Sequence, residues 1–233
     1  MDLYKKLNRL HEKLSANMIK TNMASNYKPI ISLDSVNHDV TKGRFGEVFR
    51  DGYFIVDNFL QPHTLIQLNN FILTNIFKSA TSVGAHHLNV EFCDLIYDDI
   101  QCVYKDLEDY KVDKSFFTFF GYKEDIRVEP NFYDGIKLEI WFTPELFCID
   151  SSESGVHIFN ECEYKVNNKA KNPFFQGVDL TKDFPIDTIK CIPYAYNRAV
   201  FLYKKVSFTG ITAFQPEIYK KKASLTFLLK KST

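Results

Sequence analysis

Between residues 136 and 142 apolar and polar side chains alternate, with Ile136, Leu138, Ile140 and Phe142 separated by Lys137, Glu139 and Trp141. A period of two gives a strand one buried face and one outward face. Similar runs predict strands over 53–58, 116–120, 155–159, 188–192, 198–203, 206–209 and 223–229. Upstream the period lengthens. Pro62 suits the first turn of a helix, and Leu65, Leu68, Ile72 and Ile76, with Phe71 nearby, supply its apolar face. Ile96, Ile100, Val103 and Leu107 predict a second helix over about 94–109. Leu3, Leu7, Leu10, Leu14 and Met18 fall on one stripe of an N-terminal amphipathic helix, with Lys5, Lys6, Arg9 and Lys13 off it. That helix is expected on the flank of the domain or in a homodimer contact, its basic cluster being small for a membrane surface.

Residues 21–46 read as a polar connection broken by Pro29, Gly43 and Gly46 and expected to wrap the surface, and Asp51-Gly52 is a turn signal. The division is therefore 1–46, helix and wrapping segment, and 47–233, one β domain. Two helices ahead of most of the strands predict a mainly β, α+β architecture: a jelly roll of two sheets with buttressing N-terminal helices.

Composition narrows the function. Phe at 22 and Tyr at 13 against Gly at 9 suit an aromatic core between pleated strands. Lys plus Arg equals Asp plus Glu at 29 each, so no global field draws in nucleic acid or an anionic membrane. Cys93, Cys102, Cys148, Cys162 and Cys191 contain no CxxC pair and are expected to be reduced, mostly buried thiols. No apolar run reaches the length of a membrane span, and a cytoplasmic location is the working expectation.

Several segments then line up in order. They are Gly52-Tyr53-Phe54-Ile55-Val56-Asp57-Asn58-Phe59-Leu60, Gly121-Tyr122-Lys123, Ile140-Trp141-Phe142-Thr143-Pro144-Glu145, Ser154-Gly155-Val156, Tyr196-Asn197-Arg198-Ala199-Val200-Phe201-Leu202, Ser207-Phe208-Thr209-Gly210-Ile211-Thr212 and Lys222-Ala223-Ser224-Leu225-Thr226. In order and spacing they resemble the double-stranded β-helix, a cupin-like roll, of the Fe(II)/2-oxoglutarate-dependent oxygenases, from about Gly52 to Leu229. The resemblance implies an iron held by two histidines and one carboxylate, with the remaining positions open to the oxo-acid and oxygen.

The residues at the implied positions do not carry that chemistry. The family's His-x-Asp pair, about ten residues before the tryptophan equivalent to Trp141, falls on Pro130-Asn131-Phe132, which offers neither imidazole nor carboxylate. A shift of two brings Asp134 to the carboxylate position and leaves Phe132 in place of the histidine. Thr209 stands where the distal histidine belongs. The family's Arg-x-Ser, which forks onto the oxo-acid, is Lys222-Ala223-Ser224, keeping the charge without the bidentate geometry.

Two functions follow as expectations. One is a non-catalytic binding or scaffold protein on the oxygenase roll, a pseudoenzyme with no cofactor, whose ligand pocket of Lys222, Ser224, Arg198, Thr209, Phe132, Tyr133 and Trp141 takes a small acidic ligand. The other is an active hydroxylase of a small molecule, using Fe(II) and 2-oxoglutarate with atypical ligands among Asp134, His157 and Glu161. His157 on a strand is more often a hydrogen-bonded structural residue, adjacent His86 and His87 would point to opposite faces of a strand, and His11, His38 and His63 read as surface residues. Lys220-Lys221-Lys222 with Lys204-Lys205 reads as a solvated sheet edge or as a basic patch for an anion. Gly43-Arg44-Phe45-Gly46 lacks the setting of a nucleotide loop, and no Gly-x-Ser-x-Gly elbow occurs.

Overall fold

The computed structural model describes residues 34–39, 45–76, 92–119, 130–131, 135–152, 154–159, 188–203, 206–209 and 222–232. Its helices are α1 (Glu47–Asp51), α2 (Pro62–Ile76) and α3 (Phe92–Val103). Its strands are β1 (Tyr53–Val56), β2 (Tyr110–Phe119), β3 (Pro130–Asn131), β4 (Ile136–Trp141), β5 (Val156–Phe159), β6 (Thr188–Ile192), β7 (Arg198–Tyr203), β8 (Val206–Thr209) and β9 (Ala223–Lys231). The N-terminal stripe, His86, His87 and the Lys204-Lys205 and Lys220-Lys221 pairs lie outside the described residues. Among the described residues no helix is long and apolar enough to cross a membrane.

The strands form two antiparallel sheets, one ordered β1-β7-β4-β9-β2 and the other β3-β8-β5-β6. They face one another across a cluster joining Trp141, Val200 and Leu202 of the first sheet to Val156, Ile158 and Ile192 of the second. The other face of the first sheet, carrying Ile136, Leu138, Ile140 and Phe201, packs on the helices through Leu68, Ile96 and Ile100. The protein is thus mainly antiparallel β with few helices, as the sequence pattern predicts.

β4 departs from that pattern. Its alternation predicts one outward face, yet all six residues are buried. The reason is position: β4 lies between β7 and β9, with the helices on one face and the second sheet on the other. Its charged residues consequently point into the roll.

The 21–46 connection is described only in part, and that part does not merely wrap the surface. Val36 is fully buried and bridges Leu60, and Phe45 sits edge-on to Phe201 at 5.0 Å between ring centroids. Asp99 of α3, itself buried, accepts the amides of Ser35 at 2.7 Å and Val36 at 2.6 Å and lies 3.1 Å from His38 Nε2. One carboxylate so satisfies backbone donors that would otherwise be buried unpaired.

The turn at Asp51-Gly52 proves to be a helix end. Gly52 (φ 78°) closes α1 in the left-handed region, its amide donating to the Val48 carbonyl at 2.9 Å. The second predicted helix stops at Val103 and gives way to a 3-10 turn over Lys105–Leu107. The thiols are less buried than expected: of the described four, none of them in a disulfide, only Cys93 is buried, Cys148 and Cys191 are partly covered and Cys102 is exposed.

Candidate functional site

The period of two on β4 puts Lys137, Glu139 and Trp141 on the interior face, and the β4-β9 register sets Thr226 opposite Glu139 and Ser224 opposite Trp141. Directly paired residues share a face, so Ser224 joins the interior. Lys222, two residues before Ser224, lies on the same side.

These side chains form a buried ion network. Lys137 Nζ lies 2.8 Å from Glu139 Oε2, and the Trp141 indole nitrogen donates to Glu139 Oε1 at 2.7 Å. Lys222 Nζ stands 3.9 Å from the same Oε1 and donates to the Ser154 carbonyl at 2.8 Å. It also sits 4.8 Å from the Trp141 ring centroid and 5.7 Å from that of Tyr194, within cation-π range of both. The two rings stack at 5.2 Å with 20° between planes, and the Tyr194 hydroxyl donates to the Thr143 carbonyl.

Burial alone would push the Glu139 carboxyl up. Lys137 and Lys222, with hydrogen bonds from Lys137 and Trp141, outweigh it and hold the pKa down to about 2. Burial lowers Lys222 to about 8, with Glu139 opposing the fall and Lys137 adding to it. Ser224 Oγ is buried and has no hydrogen-bond partner among the described residues. Among the described residues of this wall it is a polar atom with capacity left for a guest.

Of the residues singled out from sequence, the structure brings Lys222, Ser224 and Trp141 together. Arg198 pairs with Trp141 in register but commits its guanidinium elsewhere: Nε and one terminal nitrogen meet Asp57 at 2.6 and 3.0 Å, and the other donates to the Pro193 carbonyl at 2.7 Å. Thr209 stands opposite Val156 in the β5-β8 register. Phe132, Tyr133, Asp134 and Glu161 lie outside the described residues. Lys137, Glu139, Ser154 and Tyr194 were missed by sequence reasoning: Lys137 and Glu139 are in phase with Trp141, but an alternating strand reads as having one outward face.

The strands implied to carry iron ligands are indeed adjacent, Pro130 facing Phe208 and Asn131 facing Ser207. Yet proline has no donor side chain, and a threonine hydroxyl is a far poorer iron ligand than imidazole. His157 does not repair this. Its neighbours Val156 and Ile158 face the Trp141 cluster, so His157, paired with Cys191, belongs to the opposite face of the second sheet. Burial lowers its pKa, a hydrogen bond with the Ser152 backbone opposes the fall, and the Lys222 charge adds to it. Among the described residues no group of three or more His, Cys, Asp or Glu converges as a metal site. These residues do not fit an iron centre.

Comparison with solved structures places the fold. The non-heme alpha-ketoglutarate-dependent carbocyclase SnoK from nogalamycin biosynthesis superposes with a TM-score of 0.53 at 10% identity, covering 88% of this chain and 90% of that one. A prolyl hydroxylase from Trichoplax adhaerens gives 0.47 at 11% identity over 82% and 89% of the two chains. A Pseudomonas putida prolyl-4-hydroxylase gives 0.46 at 8% over 90% and 100%. No family model and no curated protein matches the chain. The fold is that of the 2-oxoglutarate oxygenases, at low sequence identity.

Proposed function

We propose that this protein is an oxygenase-like roll without iron chemistry, acting as a binding or scaffold protein whose interior takes a small acidic ligand at Lys222 and Ser224. The observation that carries the reading is the state of the interior carboxylate. Glu139, the charged acid on the inner face of β4, is held by Lys137, Trp141 and Lys222 rather than standing beside imidazoles. A carboxylate so occupied is a counterion and not a metal ligand.

Lys222 supplies positive charge beneath the Trp141 and Tyr194 rings, and the unpartnered Ser224 hydroxyl supplies a neutral donor on the same wall. The anion would exchange its hydration for these groups in a water-poor site, where each contact counts for more than in water. Arg198 contributes through the Asp57 clamp, which ties β1 to the start of β7 beside the site.

The test is iron content and oxo-acid turnover. Protein incubated anaerobically with Fe(II), desalted and assayed for metal, then supplied with oxygen and 2-oxoglutarate, is expected to retain substoichiometric iron and release no succinate. Stoichiometric iron together with succinate release overturns the proposal in favour of an active hydroxylase with atypical ligands.

A further inference from the structure

Resting on the reading that the interior takes a small ligand, we infer that Lys222 is a carbonyl-capturing lysine, and that the ligand carries an aldehyde or ketone beside its acidic group. Four features converge on Lys222 Nζ. Its side chain is fully buried, its Nζ is roofed by Trp141 and Tyr194, it lies 3.9 Å from the Glu139 carboxylate, and Lys137 stands across that carboxylate as a second cation. A desolvated amine beside another cation is the arrangement that makes a lysine nucleophilic near neutral pH.

Burial and Lys137 lower the Lys222 pKa to about 8, so roughly a tenth of the side chain is neutral amine one unit below that value. Such an amine attacks a carbonyl carbon. The C–N bond forms as the carbonyl π bond opens to a hydroxyl, and loss of that hydroxyl as water leaves a protonated imine.

The balance is ammonium plus carbonyl giving iminium plus water. The positive charge beside Glu139 is retained, so the carboxylate that holds the resting ammonium also stabilises the product. A neutral imine at the same place would leave Glu139 facing Lys137 alone. Ser224, on the same strand face two residues along, offers its hydroxyl to the ligand's acidic group. The Ser154 carbonyl bond of Lys222 is the contact exchanged on capture.

Pyruvate is the probe, with lactate as the analogue lacking the ketone. Trp141 is the single tryptophan, so its fluorescence reports binding of either acid at the site. The intact protein is incubated with pyruvate and cyanoborohydride and mapped by peptide mass spectrometry. One reduced pyruvyl group on Lys222, absent from Lys222→Arg while labelling of exposed lysines persists, is the expected result. If lactate perturbs Trp141 as well as pyruvate does and Lys222 stays unlabelled, capture is refuted and acidic-ligand binding survives. If neither acid perturbs Trp141 nor labels Lys222, both proposals fall. These wild-type comparisons decide the matter even if Lys222→Arg misfolds.

Discussion

The Asn197 side chain and the Leu60 backbone exchange two hydrogen bonds, Leu60 N–H donating to Oδ1 at 2.8 Å and Nδ2 donating to the Leu60 carbonyl at 2.9 Å. Asn197 does this with a left-handed backbone (φ 58°) and with its own amide on the Trp141 carbonyl at 2.8 Å. The segment after β1 is thereby fixed to the start of β7 and the end of β4. Replacement by alanine removes both side-chain bonds, strands buried partners and loses a residue type that tolerates positive φ. Asn197→Ala is expected to cost about 2–4 kcal/mol in urea unfolding, and Asn197→Gly, which relieves only the backbone, to recover part of it.

Glu139 is the keystone of the interior charges. Glu139→Gln removes the carboxylate that Lys137 and Lys222 share in a low-dielectric space, and unfolding experiments should register a loss of about 3–5 kcal/mol. An unchanged midpoint in denaturant would mean that Lys137 and Lys222 do not depend on it.

The same network predicts a stability that climbs with pH in two separate steps. Glu139 has a folded pKa near 2, below its unfolded value, so its stabilisation is present above about pH 4.5 and is lost as pH falls toward 2. Lys222 is depressed to about 8 from 10.5. Between those values the unfolded chain binds more protons, so stability rises with pH by up to about 3 kcal/mol from this group. Thermal midpoints across pH 7 to 10 should show that rise in the wild type and lose it in Lys222→Met.

Ser224 separates binding from folding. Because its hydroxyl has no partner among the described residues, Ser224→Ala removes a desolvated group and should leave unfolding free energy within about 0.5 kcal/mol of wild type or raise it. Acid-induced quenching of Trp141 fluorescence should weaken in the same variant. A stability loss without a binding change would assign the hydroxyl a structural partner instead.

Gly155 tests the packing over the site. A Cβ there would lie 1.9 Å from the Ile192 carbonyl oxygen, a contact that only backbone movement can relieve. Gly155→Ala should cost about 3 kcal/mol or more by separating the start of β5 from the end of β6. Gly46, in the right-handed region with nothing within 4 Å of the place a methyl would take, should accept alanine with a gain of about 0.4–1 kcal/mol.

How far the sequence spoke depended on what each strand carries. β6, β7 and β8 begin and end where their β-branched and aromatic runs do. β2 begins earlier than predicted, because Lys111, Asp113 and Lys114 mask its first half, where the register shifts between Val112 and Lys114. β3 is two residues long, below any periodicity, and begins with a proline of the kind confined to edge strands. In the site, Trp141, Lys222 and Ser224 were legible from the ordered segments. Glu139 and Lys137 were not, since alternation marks two faces of a strand without saying that water is absent from the second.

Because β4 is held between β7 and β9, both of which follow it in the chain, its two edges have no partners when it leaves the ribosome. Set among Ile136, Leu138, Ile140 and Trp141, Lys137 and Glu139 interrupt what would otherwise be an unbroken apolar hexapeptide, the kind of charge placement that disfavours pairing between copies while later strands are still to be made.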